Sequence, residues 1–275
     1  MRGNSHSSET GKWSQRWAQK WALVTGASAG IGWALAEQLA AAGVHLVLTA
    51  RRTDRLEQLA TDLSANHGVR VEIFGSDLSR PGSPGEIGAF TTGKNIEIEL
   101  LVNNAGFGAF GYIHKISEQR LLEMVQVNCS AVVHLTRLYV PAMIERTRGD
   151  VLIVASTAAF QAVPFNSVYA ATKAFDLIFA EGIAEEVRPF GVCVCALCPG
   201  PTTTEFQQVA EQPDRRIRMA ETAQEVARVG LDGLARGKSC VISGAMNRLM
   251  IESERLAPRR FVARMAARMM QPSDT

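Results

Sequence analysis

A short apolar run, Ala22-Leu23-Val24-Thr25, breaks directly into Gly26-Ala27-Ser28-Ala29-Gly30-Ile31-Gly32, and a helical pattern begins on the last glycines. This strand–turn–helix junction constrains the chain more than any other stretch. Glycines allow a tight turn and let backbone approach a ligand closely. The helix start behind them offers unpaired N–H groups and a partial positive charge, a setting that suits a pyrophosphate. The spacing is Gly-x3-Gly-x-Gly rather than Gly-x-Gly-x2-Gly. A plain βα connection is therefore the competing reading, and the position after the first strand argues against it.

The rest of the chain repeats the same alternation. Ile31, Leu35 and Leu39 predict a helix over residues 30–42 that Gly43 closes. Leu56, Leu59 and Leu63 predict a second over residues 54–66. Strands are expected at residues 22–25, 45–49, 69–74, 100–103, 151–155, 192–197 and 239–243. They are continuous apolar runs, as strands are when helices cover both faces of a parallel sheet. The expectation is a Rossmann-type, doubly wound α/β domain with a seven-stranded parallel sheet and a helical C-terminal extension. Residues 1–17 read as a flexible arm, 18–245 as the nucleotide-binding catalytic domain and 246–275 as the extension. Residues 79–93, with Pro81, Gly82, Pro84 and Gly85, read as a loop.

Composition removes other classes. Of 275 residues, 47% are hydrophobic and 20% charged, which excludes disordered and collagen-like chains. Lys plus Arg (29) nearly balances Asp plus Glu (27), so no concentrated basic face calls for a nucleic acid. The first twenty residues are polar, and no apolar run approaches the ~20 residues of a spanning helix. Five cysteines lack a disulfide spacing, which makes reduced thiols and a cytoplasmic location the expectation. Cys193, Cys195 and Cys198 fall on or beside a buried strand without zinc-like partners, so they read as core fillers and no metal is expected. The tail interleaves Met265, Met269 and Met270 with Arg259, Arg260, Arg264 and Arg268. A cap over a pocket or a subunit contact is preferred there over an anionic membrane surface.

The chemistry-bearing residues are spread along the chain. At the end of the second strand, where an NAD site usually places an acid, Ala50 is followed by Arg51 and Arg52. Two guanidiniums suit the 2′-phosphate of NADP, with Arg51 the better placed. Asn103-Asn104-Ala105-Gly106 closes the fourth strand, Asn128 sits in a helical stretch, and Ser156 follows the fifth strand. Tyr169 and Lys173 are four apart and share a helix face.

In that order and at those intervals, these residues resemble the short-chain dehydrogenase/reductase family. Ser156 precedes Tyr169 by thirteen residues, and Pro199-Gly200 with Thr202 and Thr204 follows the sixth strand, as the family has them. The resemblance covers residues 21–244. It implies that Tyr169 is the general acid in reduction and the base in oxidation. Lys173 lowers its barrier to ionisation and holds the nicotinamide ribose. Ser156 binds the substrate oxygen, and Asn128 holds a proton-relaying water. For the cofactor it implies contacts from Gly26, Ser28, Ala29, Gly30, Ile31, Gly32, Arg51, Arg52, Asp77, Leu78, Asn104, Ala105, Gly106, Tyr169, Lys173, Pro199, Gly200, Thr202 and Thr204. Ala29 departs from the pattern, since many NADP-using members have a basic residue there. NADP(H) is the expected cofactor, with NAD(H) as the alternative.

The substrate expectation is a carbonyl–alcohol pair, the carbonyl a lipophilic ketone or 3-oxoacyl compound. Phe107, Phe110, Tyr112, Phe160, Val163, Pro164, Phe165 and Phe206 occupy loops expected to line the pocket, though the same aromatics could simply pack those loops. A homodimer or homotetramer is expected. A dinucleotide sensor without turnover, or an NAD(P)-using lyase or epimerase, are the alternative functions.

Overall fold

Seven strands pair in one parallel sheet in the computed structural model, which describes residues 13–211, 220–254 and 256–271. They are β1 (Trp21–Thr25), β2 (His45–Ala50), β3 (Val71–Gly75), β4 (Ile98–Asn103), β5 (Gly149–Val154), β6 (Val192–Cys198) and β9 (Cys240–Ile242). Their order is β3-β2-β1-β4-β5-β6-β9. Connections wind outward from β1 in one direction and from β4 in the other. The crevice between the tips of β1 and β4 is therefore the switch point where such sheets bind ligands. A two-residue pairing of β7 (Thr202–Thr203) with β8 (Glu221–Thr222) ties down the loop after β6.

The helices are α1 (Ser14–Trp17), α2 (Gly30–Ala41), α3 (Thr53–His67), α4 (Ser83–Gly93), α5 (Glu118–Val125), α6 (Ala131–Glu145), α7 (Ser167–Val187), α8 (Phe206–Val209), α9 (Ala223–Ala235), α10 (Ala245–Glu254) and α11 (Arg259–Met270). Strand side chains pointing to alternate faces join two separate cores. Leu46, Leu48, Val102 and Leu152 pack on one side with Leu35 and Leu231. Val47, Leu101, Val151 and Ile153 pack on the other with Leu135 and Leu177.

Two expectations change. Residues 79–93 are not simply a loop, because α4 occupies most of them. Pro84 sits in its first turn, where a missing N–H costs nothing, and Ile87 anchors it in the core. Nor is the whole of 1–17 an arm. Residues 1–12 lie outside the described residues, but Trp13 and Trp17 are buried, their rings packed at 5.9 Å and tilted by 43°. Arg16 grips Asp150 with two bonds of 2.8 and 2.9 Å, and Trp17 Nε1 donates to the same carboxylate at 2.7 Å. Two large apolar rings and an acid across the sheet outweigh a polar composition.

Candidate active site

The turn between β1 and α2 is held open by its glycines. Gly26 and Gly30 have φ of 66° and 56°, a region that other residues enter at a cost. A Cβ on Gly32 would fall 2.4 Å from Asn104 Nδ2 and from Gly26 O. Asn104 itself braces this turn, donating to Thr25 O at 2.8 Å and Gly26 O at 3.3 Å. Thr25 Oγ accepts the N–H groups of Asn104 and Ala105, so the tips of β1 and β4 are tied together. The turn, the end of β2 and the Ser76-Asp77-Leu78 segment line one continuous cavity of about 880 Å³. A backbone cradle of this kind, kept clear of side chains beside a helix start, fits a dinucleotide.

At the β2 end Arg51 is exposed and makes no ion pair among the described residues. Arg52 is differently placed. Its Nε and NH2 donate to Ser28 Oγ at 3.3 and 3.2 Å, and its NH1 pairs with Glu205 Oε2 at 2.7 Å. Arg55 pairs with the other oxygen of Glu205 at 2.6 Å. These bonds, Arg55 first and Arg52 next, hold the Glu205 carboxyl below its ordinary range. Thr204 lies over Gly30, so the loop after β6 and the glycine turn meet across the cleft.

Further along the cavity, Ser156, Tyr169 and Lys173 converge at the tips of β5 and β6. Ser156 caps a 3₁₀ turn, accepting from Ala158 N–H at 3.1 Å, and lines the same cavity as Tyr169. Tyr169 and Lys173 ride on α7. Lys173 Nζ is buried and donates to Val154 O at 2.7 Å and to Asp176 Oδ2 at 2.9 Å. Burial alone would lower this ammonium, but the charges of Asp176 and Tyr169 carry it above its ordinary value. Burial likewise raises the Tyr169 phenol, and the lowering pull of Lys173 and Ser156 does not cancel it.

Asn128 sits in a π-helical turn, Gln126–Ser130, with its amide committed to the protein. Its Oδ1 accepts from Phe107 N–H at 3.1 Å, and its Nδ2 donates to Phe107 O at 3.0 Å and Thr172 Oγ at 2.9 Å. It fixes the loop after β4 against α7, close to Lys173.

The cavity also holds Ala29, Ile31, Leu78, Ala105, Gly106, Pro199, Gly200, Thr202, Phe107, Val163 and Phe206. Phe160 and Phe165 do not reach it, and neither do Phe110, Tyr112 or Pro164. Phe160 packs on the core beneath the sheet. Phe165, at φ 64°, turns towards Tyr112 and Phe110 at ring distances of 5.1 and 6.3 Å, so these aromatics pack their own loops. The apolar wall comes instead from the tail, through Met250, Phe261, Val262, Met265, Met269 and Met270. Asp176 and Glu205 escaped the sequence reading. An acid one helical turn after Lys173, on the same buried stripe, was the signal for the first.

The sequence profile of the short chain dehydrogenase family matches residues 20–215. The chain belongs to that family, and it is an oxidoreductase acting on CH–OH and carbonyl groups. It is 31% identical over 212 residues to a very-long-chain 3-oxoacyl-CoA reductase of Bos taurus, covering 75% of this chain and 66% of the relative. Among solved structures, a short-chain dehydrogenase from Sphingobium yanoikuyae in complex with NADPH superposes with a TM-score of 0.78 at 30% identity, over 86% of this chain and 94% of that one. A 7beta-hydroxysteroid dehydrogenase superposes with a TM-score of 0.84 at 25% identity, over 92% and 98%.

Proposed function

We propose that this chain uses NADPH to reduce a lipophilic ketone or 3-oxoacyl thioester to the secondary alcohol. The observation that carries the reading is the continuity of one cavity, which runs from the glycine turn past Ser156 and Tyr169 to the methionine-rich wall of α10 and α11. The cofactor preference rests on Ala50 standing where an acid would hold a ribose, with Arg51 and Arg52 next to it on the cavity wall.

A bound dinucleotide supplies the hydride. Arg51 would pair with its 2′-phosphate, and the Gly26–Gly32 backbone would accommodate its pyrophosphate. Ser156 donates to the carbonyl oxygen and stabilises the charge that develops there. Tyr169 gives its hydroxyl proton to that oxygen, and its raised phenol is the protonated form this step needs at neutral pH. Lys173 has three N–H donors, of which Val154 and Asp176 take two, and its Nζ lies beside Gly106. The tail wall excludes water around an apolar chain.

The test is NADPH consumption with a panel of small ketones, bulky cyclic ketones and 3-oxoacyl thioesters, each repeated with NADH. Turnover that rises with acyl or ring size and prefers NADPH is the expected result. Binding of NADPH without turnover of any carbonyl would overturn it.

A further inference from the structure

The buried stripe of α7 contains one acid that the roles above do not use. Asp176 is 1% exposed, one helical turn beyond Lys173, on a stripe otherwise dominated by small and apolar residues. Its Oδ2 holds Lys173 Nζ at 2.9 Å, and its Oδ1 is buried without a hydrogen-bond partner among the described residues. Burying a carboxylate with one oxygen unsatisfied is a poor way to stabilise a helix, and an apolar side chain would pack there at lower cost. The placement calls for an explanation in the chemistry.

We propose that Asp176 is a positioning residue, whose carboxylate cancels the charge of Lys173 at Tyr169, keeps the phenol protonated and sets the site for carbonyl reduction. This rests on the assignment of Tyr169 as proton donor made above.

An unpaired ammonium beside a phenol draws the proton off it. An ammonium paired with a carboxylate presents a dipole instead, and its field at the phenol is much weaker. Other groups around the pair do not restore the positive charge. The groups that act on Tyr169 are Lys173, Ser156, Asp176 and Cys198, and those that act on Lys173 are Asp176, Tyr169 and Cys129. Burial pushes the Cys129 thiol up to about 11, and contact with Cys240 followed by burial raises that of Cys198, so both are neutral at pH 7. The charges therefore sum to zero around a protonated Tyr169.

In reduction the phenol O–H bond breaks and its proton bonds to the carbonyl oxygen. The hydride forms the new C–H bond as the C=O π pair moves to that oxygen, and solvent reprotonates the phenolate. Oxidation begins from the phenolate, so the same pairing pushes oxidation to higher pH.

Asp176→Asn keeps the shape and a hydrogen bond to Lys173 but removes the charge. The chain has three tyrosines, so tyrosinate absorbance of the cofactor-free enzyme, minus that of Tyr169→Phe in the same background, reports Tyr169 alone. The expected result is a Tyr169 titration about one pH unit or more lower in Asp176→Asn, with the alkaline rise of alcohol oxidation moving by the same amount. Asp176→Leu, which fills the site without charge, should shift both in the same direction. A titration that superimposes on wild type in these variants overturns the proposal, and it does so while Tyr169→Phe remains inactive. Turnover by Tyr169→Phe would instead overturn the assignment of the proton donor, and this inference with it.

Discussion

Arg52 and Glu205 join the two banks of the cofactor cleft, guanidinium to carboxylate at 2.7 Å, while Arg52 also holds Ser28 Oγ in the glycine turn. One arginine thus connects the β1 turn, the β2 end and the loop after β6. Glu205 places a negative charge where an anionic cofactor is to bind. Glu205→Gln should therefore tighten NADPH binding, by up to about fivefold given the ~1 kcal/mol ceiling of an exposed pair. NADH binding should change less. Dissociation constants from nucleotide fluorescence at low and high salt check this, and weaker NADPH binding at both salts would contradict it.

Arg51 should behave differently. It has no ion-pair partner to lose among the described residues, so Arg51→Ala should weaken NADP(H) by about 1.5–3 kcal/mol, the worth of hydrogen bonds to a charged group. NAD(H), without the phosphate, should be nearly unaffected. Equal losses for the two nucleotides would mean that Arg51 serves the pyrophosphate or the fold.

The raised phenol of Tyr169 gives a signed pH dependence. Reduction uses the protonated form, which is present below the folded-state value and disappears as pH rises through it. A raised value extends the reduction plateau towards alkaline pH, and oxidation gains activity only as reduction declines. Tyr169→Phe should lose about 10²-fold or more in kcat, with NADPH affinity nearly unchanged. Initial rates in both directions across pH read both effects. A reduction rate that falls between pH 6 and 7 would contradict the assignment.

Much of this site was readable because it is local. The Gly26–Gly32 turn needs its glycines within one connection, and Tyr169 and Lys173 are fixed by one turn of one helix. Residues that act across long separations were harder. Phe160 and Phe165 sit in the right loops, but a one-residue twist at Phe165 turns its ring away from the cavity, and periodicity carries no sign of that. The helix over residues 83–93 was hidden by proline and glycine, though Pro84 stands in the first turn, where proline is accepted. Trp13 and Trp17 lay in a polar stretch, and Asp150, the acceptor for Trp17, is more than 130 residues away.

That partner gives a stability test. Asp150→Ala should leave Trp17 Nε1 buried without an acceptor and release Arg16. The expected cost is about 2–4 kcal/mol, seen as a Tm lowered by roughly 5–10 °C. Kinetics of the folded fraction should be unchanged, because the clamp lies at the start of β5 and the site at its end.

Removing the chain beyond Arg260 should raise KM for bulky ketones more than for small ones, since Phe261, Met265 and Met269 form the outer wall of the cavity. NADPH affinity should hold. Unchanged kinetics with a smaller assembly in light scattering would make this helix a subunit contact.

The origin of that wall bears on how such an enzyme diversifies. In the proposed reaction proton transfer rests on α7 and the tips of β5 and β6, deep in the sheet, whereas the apolar cavity wall comes from α10 and α11 after the last strand. No residue of α11 is buried, and Phe261 and Met269 are 59% and 74% exposed. Substitutions there meet little packing resistance and leave Ser156, Tyr169 and Lys173 on their own elements. In the proposed function selectivity and chemistry would be carried by different pieces of the chain, and substitutions along α11 should change which carbonyl is accepted while the catalytic helix stays as it is.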